Sequence, residues 1–296
     1  MNIFVINSGS SSIKYQLFRW PAEQPMCSGL VERVGSAQAT ITHKVFAVEG
    51  TPTEQRLNLP LPDHEAGLHE VVRLLTAGVI QDPSDIDVVG HRVVHGGESF
   101  SQATPITAEV KAEIQRLFGL APLHNPANYL GIEVAERVFP RARQVAVFDT
   151  AFHQTLPEKA FRYALPTALY TEQRIRRYGF HGTSHQYVAA QAVAYLGQPD
   201  ARLITIHLGN GCSMAAVRGG RSLDTSMGFS PLAGLVMGTR SGDIDPSVLL
   251  HLMGPLGYSP EQVNTLLNKE SGMLGLTGQS DMRDISAALA AGDTTA

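Results

Sequence analysis

Two glycine-rich turns, each set between runs of strand-forming residues, constrain this chain most. Residues 3–6 are apolar β-formers, residues 13–18 alternate well enough to pair with them, and Asn7-Ser8-Gly9-Ser10-Ser11-Ser12 lies between. The unit returns in the second half: a strand over 203–208, the turn Gly209-Asn210-Gly211-Cys212-Ser213, then a strand over 214–217. Each reads as a β-hairpin with a polar tip. Such a turn points several backbone N–H groups at one spot, which suits phosphate oxygens, and Lys14 adds a point charge. The bland reading is an ordinary hairpin, since Asn-Gly is itself a strong hairpin signal. Neither turn has the spacing of a Walker A loop.

The rest of the chain reads as alternating strands and helices. An apolar face predicts a helix over 64–77, a further helix is read over 107–118, Asn125-Pro126 caps one over 126–138, and Thr183-Ser184 caps one over 184–196. Residues 19–62 read as further strands and loops punctuated by prolines. A strand over 86–89 runs into Gly90-His91-Arg92. Val145-Ala146-Val147-Phe148 is a continuous apolar run of the kind found in parallel strands buried on both faces, and it ends in Asp149. In open α/β sheets ligands gather at the carboxyl ends of strands, so Arg92 and Asp149 stand where chemistry usually occurs. At 296 residues the chain suits two α/β domains around a cleft. A paired hairpin phosphate loop in two such domains is the plan of actin/hexokinase-type ATPases.

Composition excludes several classes. A net charge of −4 from 23 basic and 27 acidic residues is too balanced for a nucleic-acid or membrane-surface protein. Cys27 and Cys212 cannot build a disulfide framework, so a reducing cytosol is expected. No apolar run reaches membrane-spanning length, and the first residues lack the pattern of a signal peptide. The histidines lack zinc-site spacing, and no G-x-S-x-G elbow occurs. Cys212 reads as a packing cysteine or, less readily, as a nucleophile. The chain carries 18 Arg against 5 Lys. Arg and His cluster in glycine-flanked turns: His91-Arg92, His95-Gly96-Gly97, Leu123-His124, Gly179-Phe180-His181-Gly182 and Gly238-Thr239-Arg240. Arg pairs bidentately with carboxylate or phosphate, and clustered cations can neutralise a transferring phosphoryl group.

These segments carry a resemblance. N-S-G-S-S-S-I-K (7–14), G-H-R-V-V-H-G-G (90–97), A-P-L-H-N-P-A-N (121–128), F-D-T-A-F-H-Q-T (148–155), R-R-Y-G-F-H-G-T-S-H (176–185), H-L-G-N-G (207–211), the run 224–246 and N-K-E-S-G-M-L-G (268–275) stand in the order of the acetokinase family. That family includes acetate, propionate and butyrate kinases. The resemblance implies an α/β, duplicated actin/hexokinase-like (ribonuclease H-like) fold, with an N-terminal domain over 1–150 and a C-terminal nucleotide-binding domain over 151–296. It implies a cytoplasmic homodimer that transfers the ATP γ-phosphate to acetate with Mg²⁺ (or Mn²⁺), giving acetyl phosphate and ADP.

By motif position, Asn7 would sit at the metal, and Lys14, Ser10 and Ser12 near the ATP phosphates. Arg92 would bind the substrate carboxylate, with Val93, Leu123, His124, Phe180 and Pro231 around it. Asp149, His181 and Arg240 would be catalytic. His207, Leu208, Gly209, Asn210, Gly211, Asp281, Met282 and Arg283 would hold the nucleotide. Acetate is already ionised at neutral pH and needs no general base, so Asp149 is expected to orient the metal or the substrate. The family pattern continues beyond residue 296, with a further adenosine loop and a metal-site Glu. The second domain is therefore expected to be incomplete, with exposed strand edges, and the chain alone to have little kinase activity. The alternatives are a propionate or short-chain fatty acid kinase, and a non-catalytic actin-like nucleotide-binding module.

Overall fold

The computed structural model describes residues 1–47, 50–122 and 124–296. It divides into two compact units, Met1–Ala151 and Phe152–Ala296. Among the described residues no helix is long and apolar enough to cross a membrane.

The first unit is built on one mixed sheet. Strands β1 (Asn2–Ser8), β2 (Ser12–Arg19), β3 (Cys27–Glu32), β4 (Ser36–Val45) and β5 (Thr53–Leu61) form an antiparallel meander. β6 (Val88–Val93) and β8 (Arg143–Phe148) add parallel to β1, and the short β7 (Thr104–Pro105) closes the edge, giving the order β5-β4-β3-β2-β1-β6-β8-β7. The alternation expected of residues 13–18 holds: Ile13, Tyr15 and Leu17 are buried, and Lys14 and Gln16 are exposed.

Three helices pack on this unit: α1 (His64–Thr76), α2 (Ala108–Arg116) and α3 (Asn125–Val138). Leu68, Val71, Leu74 and Leu75 of α1 join Phe4, Leu17, Val31 and Ile41 in the main core. A second cluster of Val93, Ile114, Ile132 and Phe148 lies under β6 and β8. Asp63 caps α1 through Ala66 N–H at 2.8 Å.

The expected cap of α3 differs. Asn125 lies inside the helix and His124 takes the cap position. The Asn125 amide instead brackets the His95 backbone, accepting from its N–H at 3.0 Å and donating to its carbonyl at 2.9 Å. A buried backbone pair needs partners more than a helix end that already has proline in its first turn.

In the second unit, α4 (Glu158–Phe161) and α5 (Thr167–Thr171) precede α6 (Gly182–Leu196), which packs on β9 (Arg202–Leu208). β9, β10 (Cys212–Arg218) and β11 (Arg221–Thr225) form an antiparallel sheet in the order β11-β10-β9. β9 is its edge, with Ile204, Ile206 and Leu208 exposed. Helices α7 (Pro246–Met253), α8 (Pro260–Lys269), α9 (Gly272–Thr277) and α10 (Met282–Ala290) follow.

The start of α6 also departs from expectation. Neither Thr183 nor Ser184 caps it; His181 holds the cap position in the left-handed region, at φ 56°, with no side-chain cap bond. Ser184 hydrogen-bonds His207 Nδ1 at 2.9 Å. A non-glycine residue in this conformation is uncommon and gathers at functional positions.

Candidate active site

In the first unit the site forms where three neighbouring parallel strands end. Asn7 is the penultimate residue of β1, Arg92 that of β6, and Asp149 follows β8. Arg92 grips Asp149 along one edge, with Nε at 3.0 and 3.1 Å from the two carboxylate oxygens and Nη2 at 2.6 Å from Oδ2. Arg92 Nη1 makes a longer contact of 3.4 Å to Asn7 Oδ1. The Asp149 carboxylate is buried. Burial works against the guanidinium charge, but the Asp149 carboxylate outweighs it and holds the Arg92 pKa above its ordinary value. The Nε/Nη2 edge serves Asp149, and the Nη1/Nη2 edge is a second fork of the kind that receives a carboxylate.

The hairpin loop stands beside this group. Lys14 is the direct cross-strand partner of Asn7. At the tip, Gly9 N–H donates to the Ser12 carbonyl at 2.8 Å, and His64 of α1 contacts the Gly9 carbonyl at 2.7 Å. Ser10 is exposed and Ser12 half-buried. Asn128 of α3 ties the strand ends together, accepting from Val94 N–H at 3.0 Å and donating to the Ser8 carbonyl at 2.7 Å.

Of the expected pocket residues in this unit, Val93 is fully buried in the core under the sheet, and His124 is half-buried at the start of α3. Leu123 lies outside the described residues. Buried His91 and His95 are held neutral, each with a pKa pulled down to about 4 by burial.

In the second unit the site surrounds the β9–β10 turn. A methyl group on Gly211 would lie 3.1 Å from Arg240 Nη1 and 3.6 Å from His181 Cε1, so both side chains border the tip. The His181 and His207 rings lie 4.1 Å apart, and Arg240 donates to the Pro231 carbonyl at 3.1 Å. Burial pulls the Arg240 pKa below its ordinary value. Phe180 is buried, and its carbonyl accepts from His153 Nε2 at 3.0 Å.

A cavity of about 680 Å³ opens against this turn, lined by Leu208, Gly209, Asn210, Met237, Asp281 and Met282 among others. Arg283 does not line it; its guanidinium folds onto Asp281, which caps α10. Gly238 donates to the Asn210 carbonyl at 3.0 Å, and a methyl group there would sit 2.3 Å from Asn210 Oδ1.

Four residues that shape these sites were given no site role from the sequence: Asn125, read only as a helix cap, and Asn128, Ser213 and His185. The first two carried a signal. Asparagine is a poor helix former, and two of them three apart share one helix face.

The chain matches the acetokinase family model over residues 2–296. It belongs to the acetokinase family. It is 56% identical to an acetate kinase of Flavobacterium johnsoniae, across 96% of this chain and 72% of that one. It is 50% identical to an acetate kinase of Oleidesulfovibrio alaskensis, across 100% of this chain and 75% of the relative. It thus spans about three quarters of these relatives' length. Among solved structures it superposes on a Francisella tularensis propionate kinase with a TM-score of 0.93 at 42% identity, covering 99% of this chain and 74% of that one. For a Porphyromonas gingivalis acetate kinase the score is 0.91 at 44% identity, with the same coverage. The mixed α/β fold is therefore that of acetate and propionate kinases, in line with the actin/hexokinase-like plan expected of the sequence.

Proposed function

We propose that the protein is an acetate kinase that transfers the γ-phosphoryl group of ATP to acetate, reversibly, giving acetyl phosphate and ADP. The observation that carries this reading is the Arg92–Asp149 fork at the carboxyl ends of β6 and β8. It leaves the Nη1/Nη2 edge of the same guanidinium to take a second carboxylate, that of the substrate. An acetate oxygen attacks the γ-phosphorus, the bond to the β–γ bridging oxygen breaks, and that oxygen leaves with ADP. Two anions must be brought together, so the task is positioning and charge neutralisation.

In this reading Arg92 orients the acetate, and Asp149 fixes Arg92 and the donor set around it. His181 and Arg240 stabilise the transferring phosphoryl group. The cavity beside Gly209 and Asn210 takes the nucleotide, with Asp281 and Met282 on its wall, and Ser10, Ser12 and Lys14 face phosphate oxygens. Residues 1–150 act as the carboxylate-side domain and 151–296 as the nucleotide-side domain.

The residues suit a nucleotide-borne Mg²⁺. Among the described residues no group of three or more His, Cys, Asp or Glu is placed to hold a metal. Mg²⁺ prefers oxygen donors and commonly takes only one or two from protein beside substrate phosphates. The Asn7 amide oxygen and the Asp149 carboxylate, both in contact with Arg92, are such donors. When bound, the ion would neutralise charge on the phosphate oxygens. We also read the protein as a cytoplasmic homodimer, which light scattering tests.

Acetate, ATP and Mg²⁺ given to the protein should yield acetyl phosphate, trapped by hydroxylamine as the hydroxamate. ATP consumption without hydroxamate would contradict the assignment. The high similarity to a propionate kinase structure supports a second substrate, and one methylene separates the acids by only about 1–3 kcal/mol. The ratio of kcat/KM for acetate and propionate decides between them.

A further inference from the structure

A buried line of hydrogen bonds runs inward from His181. Its Nδ1 lies 2.9 Å from Ser213 Oγ, Ser213 Oγ lies 2.8 Å from His185 Nε2, and His185 Nδ1 lies 2.8 Å from Thr205 Oγ1. Thr205 Oγ1 also donates to the Ala215 carbonyl at 3.4 Å. Ser213 is 0% exposed, His185 1% and Thr205 5%, so the line is shielded from solvent. Local sequence builds it. His181 at the cap position of α6 and His185 in its first turn both reach the Ser213 hydroxyl. Thr205 pairs with Ala215 across β9 and β10, and Ser213 stands two residues from Ala215 on the same side of the sheet.

The line has a direction. A carbonyl oxygen only accepts. With its single proton on the Ala215 carbonyl, Thr205 accepts from His185 Nδ1–H. Burial, aided by His153 and His207, pulls the His185 pKa down to about 4, so at neutral pH the ring carries one proton. Its Nε2 is then a lone pair that accepts the Ser213 hydroxyl proton, and the Ser213 oxygen accepts from His181 Nδ1–H. The reversed line keeps three of these hydrogen bonds and loses the one to Ala215. Neighbouring His153 donates from Nε2 to the Phe180 carbonyl at 3.0 Å, and its Nδ1 lies 2.8 Å from Ser222 Oγ on β11.

We propose that Ser213, His185 and Thr205 are positioning residues that hold His181 as its Nδ1–H tautomer and set its ring plane, so that Nε2 is the nitrogen that serves the phosphoryl group. The functional part rests on the role given to His181 above; the tautomer does not.

Long-range ¹H–¹⁵N spectra of the ¹⁵N-histidine-labelled protein read each ring without any need for turnover. They are taken at about pH 8.5, two units above an ordinary imidazole, with His181→Gln to assign the signal. The expected wild-type signal is an Nδ1–H imidazole for His181. Thr205→Val, which keeps the shape and removes the hydroxyl, should give a tautomer mixture. Ser213→Ala should lower kcat roughly tenfold or more with both KM values little changed. An Nε2–H tautomer in the wild type overturns the proposal, as does an unchanged His181 signal in Thr205→Val. A Ser213→Ala enzyme with full kcat and a mixed tautomer overturns the positioning role. If His181→Gln keeps full kcat, the role of His181 in phosphoryl transfer fails, whatever the tautomer.

Discussion

Arg92 meets Asp149 edge-on: Nε lies 3.0 Å from Oδ1 and Nη2 lies 2.6 Å from Oδ2. Lysine supplies the charge but neither fork, so Arg92→Lys should lose both the grip on Asp149 and the seat for a second carboxylate. A hydrogen bond to a charged group contributes about 1.5–3 kcal/mol, so KM for acetate should rise roughly 10–100-fold while KM for ATP changes little. Steady-state kinetics in both substrates checks this. A variant with wild-type KM for acetate would remove Arg92 from the carboxylate site.

Gly238→Ala should damage nucleotide binding selectively. The new methyl would sit 2.3 Å from Asn210 Oδ1, so that side chain must turn away beside the neighbouring cavity, and 3.3 Å from the Asn210 carbonyl, so the hairpin tip must give by a few tenths of an ångström. Overpacking of this kind costs about 1–3 kcal/mol, so ATP affinity measured by calorimetry should fall roughly tenfold or more. Unchanged ATP affinity would place the nucleotide elsewhere.

Asn128→Ala should act on stability and then on activity. Its amide bonds two buried backbone groups, Ser8 C=O and Val94 N–H. A buried unpaired polar group costs about 1–3 kcal/mol, so with two such groups the urea midpoint should drop by the equivalent of roughly 2–6 kcal/mol. A loss below about 0.5 kcal/mol, the size of an ordinary surface substitution, would show that Asn128 does not hold the ends of β1 and β6 together.

Stability should fall with acidity before the carboxylates titrate. Burial holds His91, His95 and His185 near pKa 4, whereas histidine in the unfolded chain titrates near about 6.5. Between these values the unfolded chain binds protons that the native fold refuses. Unfolding is therefore favoured as pH drops through that window, by at most about 1.4 kcal/mol per pH unit for each histidine, and is unaffected by these groups above it. Urea midpoints at pH 7.5 and 5, with His91→Gln flattening the slope by about one proton, test this. A midpoint independent of pH across the window would contradict it.

Much of this was legible in the sequence because local pattern and tertiary fold agree. The alternation of Ile13, Tyr15 and Leu17 gave the β1–β2 hairpin, the apolar face of α1 gave that helix, and the run before Asp149 gave β8. β5 was harder to read, because most of its residues are exposed and Pro60 interrupts it. The caps of α3 and α6 misled because Asn125 and Ser184 spend their side chains on His95 and His207, partners 30 and 23 residues away. Ser213 was invisible for the same reason: its meaning comes from His181 and His185, which only packing brings to it.

The most direct test of the account is ³¹P NMR of ATP, Mg²⁺ and acetate with the protein and its Asp149→Asn variant, which removes the charge that holds Arg92 and keeps the shape. The account predicts an acetyl phosphate resonance with the wild type, and a kcat lower by roughly a hundredfold or more in the variant. Acetyl phosphate formed at the wild-type rate by Asp149→Asn, or none formed by the wild type while ATP is consumed, would contradict it.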